Sequence, residues 1–153
     1  MKRLTHRNQE KGAELVEFAL VLPLLLVLCL GVVEFGRAYY TYNLLTKAVR
    51  DGARFGSASQ VSSAGVLTNA ALTSTKNVVV YGNAAGTGTK KVGDLLTTQV
   101  FVDQQLLNPG NPTVQYTTVR VAYPYVPLFR LVMPATITFR PSVKMQFVGS
   151  IVF

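Results

Sequence analysis

The residue types that could take part in chemistry lie near the start of the chain. Gly12 and Ala13 precede a carboxylate, Glu17, that lies inside an apolar run. Glycine gives a protease close access to the backbone. A cut between Gly12 and Ala13 would create an α-amino group one helical turn from Glu17, and these opposite charges could offset each other's desolvation. We interpret this stretch as a place where another enzyme acts on the chain.

Histidine and cysteine each occur once in the chain. His6 precedes the glycine and Cys29 lies in the apolar run. A chain cut after Gly12 would therefore lack an imidazole for general acid–base catalysis or zinc binding, and it could form no internal disulfide or thiolate cluster. Asp94 and Asp103 could act as a catalytic pair only if the fold brought them together. Their simpler interpretation is a turn residue and a strand-end residue, so we expect no enzyme, cofactor, metal or small-molecule substrate.

The apolar run from Phe18 to Val33 allows three interpretations. A cleaved secretory signal fits poorly, because the run is longer than the about 7 to 15 residues of a signal core and no clear cleavage site follows it. An uncleaved signal anchor explains the length but not the placement of Gly12 and Glu17. A cut after Gly12 explains both, and it keeps residues 13–33 as a membrane segment of the about 20 residues that a span requires.

One long helix is predicted from about Glu14 to about Arg54, because no proline follows the apolar run to end it. At about 1.5 Å per residue its second half must stand outside the bilayer. Ala48, Gly52 and Gly56 share one face, where small side chains let a helix or sheet approach closely. We expect the chain's own domain to pack on that face. The predicted segments are a leader (1–12), a transmembrane segment (13–33), an extramembrane helix (34–58) and a small α+β domain (59–153).

Three motifs in the first third of the chain together resemble the signature of a known family. They are Gly12-Ala13-Glu14-Leu15-Val16-Glu17-Phe18-Ala19-Leu20-Val21-Leu22-Pro23, Glu34-Phe35-Gly36-Arg37 and Ala48-Val49-Arg50-Asp51-Gly52-Ala53-Arg54. This combination resembles the TadE-like family, the minor pilins or pseudopilins of tight adherence (Tad, or Flp) pilus systems. The resemblance implies that Gly12 and Ala13 flank a prepilin-type cut and that Glu17 is the acidic residue of the processing motif.

The resemblance also implies a location and partners. The expected product is a single-pass protein of the bacterial inner membrane, with its N-terminus in the cytoplasm and its C-terminal domain outside. A prepilin peptidase would process it, and it would assemble with other pilin-like subunits in building an adhesive pilus. Basic residues flank the apolar run equally on both sides, four on each, so charge alone does not decide this orientation. The alternative is a signal-anchored extracytoplasmic binding module unrelated to pili, which would keep Met1.

The formal net charge of +8 does not indicate a nucleic-acid partner. Basic residues lie in the leader, just after the apolar run, and elsewhere singly or as Lys90-Lys91. Binding of single strands requires a basic groove interleaved with aromatic side chains, and the sequence has no such pattern. We expect no nucleic-acid binding.

The rest of the chain predicts a long helix packed on a small antiparallel sheet, the α+β arrangement of a pilin-like domain. Residues 124–134 are too apolar for an ordinary loop, and we expect them to cap the core, with a partner or the bilayer surface as the alternative. The other predicted elements are a short helix from Ala64 that ends before Asn77, strands over 77–81, 95–102, 113–123 and 137–147, a loop over 82–93 and a turn over 108–112. We also expect a bulge near Thr117-Thr118, and an edge or bulge at Pro141.

Overall fold

A computed structural model of the chain describes residues 4–59, 67–106, 115–130 and 135–147. Two compact units can be distinguished. Residues 1–38 and 127–135 form the anchor unit, and residues 39–126 and 136–153 form the sheet unit. The long helix followed by small antiparallel sheets confirms the predicted α+β class. The elements are α1 (Leu4–Ser57), α2 (Asn69–Tyr81), a 3₁₀ turn (Thr97–Gln99), β1 (Val100–Leu106), β2 (Gln115–Val121), β3 (Tyr123–Tyr125), β4 (Ile137–Phe139) and β5 (Ser142–Gln146).

Helix α1 has 54 residues and contains Pro23 without a break in the helical assignment. Within the described residues it is the one helix that is long and apolar enough to cross a membrane. Its most apolar stretch has a mean hydropathy of 2.7, and none of that stretch is buried. By length and composition, α1 is therefore consistent with a single-pass membrane anchor.

Helix α2 runs from Asn69 to Tyr81, whereas the predicted helix began at Ala64 and ended before Asn77. Its last residues replace the strand expected over residues 77–81. The Thr68 side chain accepts a hydrogen bond from the Ala71 N–H at its start, and Gly82, with φ of 82°, ends it by donating its N–H to the Val78 carbonyl. Three consecutive valines favour a strand by intrinsic preference. Burial of Val78 to Val80 in the helical form, between two well-made caps, overrides that preference.

Strands β1, β2 and β5 form one antiparallel sheet in the order β1-β2-β5, and β3 pairs with β4. The β1–β2 register is continuous from Val100↔Val121 to Leu106↔Gln115, so the bulge predicted near Thr117-Thr118 is wrong. Thr117 lies on the buried face with Val119 and Val121, where an apolar residue was expected. Strand β2 ends at Val121, and the Ala122 N–H still donates to the Gln99 carbonyl in the same register.

Two further strand predictions hold in part. The 3₁₀ turn occupies the middle of the segment predicted as a strand over 95–102, so the strand begins only at Val100. Pro141 lies in the gap between β4 and β5, and β5 is an edge strand. The Pro141 carbonyl accepts a hydrogen bond from the Val121 N–H, and at this position the proline need not donate one. The loop over 82–93 is present as predicted, whereas the whole of the turn predicted over 108–112 lies outside the described residues.

The core of the sheet unit joins α1, α2 and the sheet in one apolar cluster. It contains Leu45, Ala48, Val49 and Ala53 of α1, Val79 and Val80 of α2, Val92 and Leu95, and Val100, Val119 and Val121 of the sheet. The outer half of α1 therefore packs on the sheet, as the fold class predicted. Phe139, Val143 and Met145 face this cluster, in agreement with the predicted alternation. Ile137 remains 39% exposed and departs from it.

Candidate functional site

Gly12 and Ala13 lie inside α1, eight residues after its first residue, Leu4. The expected substrate for a protease was an extended leader, and the structure instead has a helical backbone across the bond. Gly12 has no atom within 4 Å of the position that a Cβ would occupy, so the bond is sterically open. Glycine inside a helix costs about 1 kcal/mol relative to alanine, which makes this the easiest place in the segment to unwind.

Glu17 is exposed on α1 one turn after Ala13. Together with Glu14, Phe18 and Val21 it borders a shallow depression on the helix surface. Residues at i and i+4 lie on the same side of a helix, so Ala13 and Glu17 share a face. An amino group created at Ala13 would be within one turn of this carboxylate.

A second carboxylate, Glu34, is almost completely buried, with 1% of its surface exposed. Its Oε2 atom accepts hydrogen bonds from the backbone N–H groups of Leu128 at 3.1 Å and Phe129 at 3.3 Å. Its Oε1 atom accepts from Arg37 Nη2 at 3.2 Å. Ionised acceptors form the stronger kind of hydrogen bond. Glu34 therefore fixes a segment far away in sequence onto α1.

The described residues of the 124–134 segment agree only in part with the expected cap on the core. Tyr125 is buried and stacks on Phe139, which packs against the apolar cluster of the sheet unit. Pro127 is buried, Phe129 is half-buried and Leu128 is 67% exposed, and none of them belongs to the apolar cluster of the sheet unit. Residues 127–135 belong to the anchor unit. These residues lie against the anchor unit because the backbone N–H groups of Leu128 and Phe129 donate hydrogen bonds to the Glu34 carboxylate on α1.

Sequence reasoning noticed Glu34 and Arg37 only as part of a family motif and missed the hydrogen bonds from Leu128 and Phe129 to Glu34. A usable signal was present. Glu34 directly follows the apolar run, and a carboxylate in that position usually has a partner or a role. The partner could not be predicted, because nearly every residue has a backbone N–H group and the sequence does not distinguish the ones that reach Glu34.

The small-residue face of α1 lies against the sheet unit's own elements. Ala48 is 1% exposed. A Cβ at Gly52 would approach Val79 Cγ2 of α2 to 2.3 Å, and one at Gly56 would lie 3.2 Å from Thr117 Cγ2 of β2. Both glycines therefore permit a close approach that larger residues would prevent.

The remaining candidates show ordinary structural contacts. Asp103 forms a 2.6 Å ion pair with Arg120, with both side chains 55% exposed, and Asp94 is exposed in a loop. Cys29 is exposed on α1. Among the described ranges, no cluster of three or more His, Cys, Asp or Glu side chains could hold a metal ion.

Comparison with known proteins gives one match. No curated protein and no solved structure matches the chain significantly. Residues 12–54 match the family model of TadE-like proteins. The match begins at the predicted cut and contains Glu17, Glu34 and the Ala48–Gly52 face. The predicted resemblance to the TadE-like family is thus confirmed over residues 12–54, which belong to helix α1.

Proposed function

We propose that this chain is a minor pilin or pseudopilin of a Tad (Flp) pilus system. The observation that carries the proposal is the family match over residues 12–54, which starts at the glycine of the hinge. TadE-like proteins are pilus-associated and are not an enzyme family, and the role that we assign to the chain is structural.

In the first step of the proposed pathway, a prepilin peptidase hydrolyses the peptide bond between Gly12 and Ala13. Water is added across the bond, which leaves a carboxylate on Gly12 and an amino group on Ala13. Because α1 is helical across this bond, the peptidase must first unwind about one turn. The low helical preference of glycine lowers the cost of that step by about 1 kcal/mol.

In the second step, the mature chain remains in the inner membrane through residues 13–33 and then assembles with other pilin-like subunits. The side chains of this segment are exposed on the isolated helix, and among the exposed large ones are Leu20, Leu24 and Leu28. Neighbouring helices can replace lipid around such a surface at little cost, because lipid tails and leucine are similarly apolar. Glu17 would then pair with an Ala13 amino group of its own or a neighbouring subunit.

The competing proposal is an uncleaved signal-anchored module unrelated to pili. The two differ in the first residue of the mature chain. We would express the full chain with and without a prepilin peptidase and determine the N-terminal residue and the intact mass. The pilin proposal expects Ala13 as first residue only when the peptidase is present. Retention of Met1 in the native host would refute it and favour the anchored module.

A further inference from the structure

We propose that residues 127–130 form a tip that rests on the surface of the lipid bilayer and that Glu34 holds this tip in place. The tip segment is defined as Pro127, Leu128, Phe129 and Arg130. This inference goes beyond the pilus role. It requires only that α1 spans a bilayer, and it would stand even if the chain were never cut after Gly12.

The depth of the tip follows from its hydrogen bonds. Glu34 directly follows the apolar run 18–33, so it marks the level at which α1 leaves the hydrocarbon. The Leu128 and Phe129 nitrogen atoms lie within 3.3 Å of its carboxylate. The backbone of the tip is therefore fixed within a few ångströms of that level, where apolar side chains meet lipid headgroups.

The composition of the tip suits that level. Leu128 projects outward with 67% of its surface exposed, whereas Pro127 is buried and Phe129 is half-buried. The next residue, Arg130, is also exposed. An apolar side chain beside a guanidinium matches the boundary between acyl chains and anionic headgroups.

Glu34 is the residue that makes this placement specific. Its two backbone donors come from consecutive residues, so one carboxylate oxygen fixes both the position and the direction of the tip. Arg37 holds the other oxygen from the next turn of α1. A side chain without acceptor oxygens at position 34 would leave the two N–H groups unpaired and release the tip.

The chain contains no tryptophan, so Leu128→Trp introduces a single fluorescent reporter at the tip. We would reconstitute the full-length variant in phosphatidylcholine–phosphatidylglycerol vesicles that carry brominated acyl chains. Tryptophan emission should shift to the blue, and bromines near the headgroups should quench it more than bromines near the bilayer centre. Leu24→Trp, in the apolar stretch of α1 within the same anchor unit, is the matched control and should be quenched more by bromines near the bilayer centre.

The same measurement tests Glu34. Leu128→Trp combined with Glu34→Ala should lose the quenching and the blue shift, with an unchanged circular dichroism spectrum. Leu128→Trp with Glu14→Ala should keep both. The proposal is overturned if the Leu128→Trp emission is that of water-exposed tryptophan in vesicles. It is also overturned if quenching survives in the Glu34→Ala variant, or if the tryptophan becomes shielded only when another pilus subunit is added.

Discussion

Two carboxylates on one helix have opposite environments, and each environment indicates a different use. Glu17 is exposed in the apolar part of α1. Glu34 is 1% exposed, and three donors from the same chain satisfy it. A carboxylate in an apolar segment needs a partner. Glu34 has its partners within the fold, and we propose that Glu17 obtains one only after processing or assembly.

Replacement of Glu17 by alanine tests that proposal at the residue scale. The Glu17→Ala chain should be cut correctly and assemble poorly, because the Ala13 amino group would lack its counter-charge in an apolar setting. Mass spectrometry of the mature chain measures the first effect, and the amount of surface pilus measures the second. Glu14→Ala removes a neighbouring exposed carboxylate and should leave piliation normal. Unaltered piliation in Glu17→Ala would rule out the pairing.

The elements show which parts of the fold could be predicted from sequence. Helix α1 and the alternation through β5 were predictable because apolar periodicity reports burial directly. Helix α2 was partly misassigned, because three valines favour a strand. The two caps, the burial of these valines and the close approach of Val79 to Gly52 stabilise the helix instead. The expected bulge was wrong because Thr117 takes an inward position beside Gly56, where its small size matters more than its polarity.

The α1–α2 contact gives a prediction at the element scale. Gly52→Ala would place a Cβ 2.3 Å from Val79 Cγ2. Overpacking of this kind costs about 1–3 kcal/mol, which exceeds the about 1 kcal/mol that alanine gains over glycine in a helix. We therefore expect lower stability in urea unfolding of the detergent-solubilised chain.

The control for this prediction is the double variant Gly52→Ala with Val79→Ala, in which the smaller side chain at residue 79 makes room for the new methyl group. Val79→Ala alone should also destabilise the chain, because it removes buried methyl groups. In the double variant the new methyl at residue 52 can occupy part of the vacated volume. The double variant should lose less stability than the sum of the two single variants. If the losses of stability in the two single variants added up to the loss in the double variant, residues 52 and 79 would not limit the distance between α1 and α2.

At the scale of the whole molecule, the chain combines an unburied apolar helix with a domain that has its own core. The apolar stretch of α1 contributes nothing to that core. Its side chains can therefore be exchanged among apolar types without loss of the sheet unit, whereas the sheet unit tolerates few changes at Val79 or Val119. The sequence indicates where the apolar run ends, because the composition changes sharply after Val33.

Insertion of a charge into the apolar stretch of α1 tests whether this stretch spans a membrane. Leu25 is 55% exposed in the middle of the apolar run. Leu25→Arg should weaken membrane insertion, since arginine at a helix centre costs about 2.5–3.5 kcal/mol on insertion scales. The measurement is the fraction of chain that resists carbonate extraction from membranes. Leu25→Ala, which shortens the side chain without charge, should remain in the membrane, and full retention of Leu25→Arg would contradict a spanning α1.

The contact between Glu34 and the tip segment also constrains the order in which contacts can form during synthesis of the chain. Leu128 follows Glu34 by 94 residues. A ribosome adding about 5–20 residues per second needs roughly 5–20 s to synthesise that stretch. Throughout this interval the Glu34 carboxylate exists without its two backbone donors and must be hydrated by interfacial water. The contact can therefore form only after residues 128 and 129 have been synthesised, well after the whole of α1.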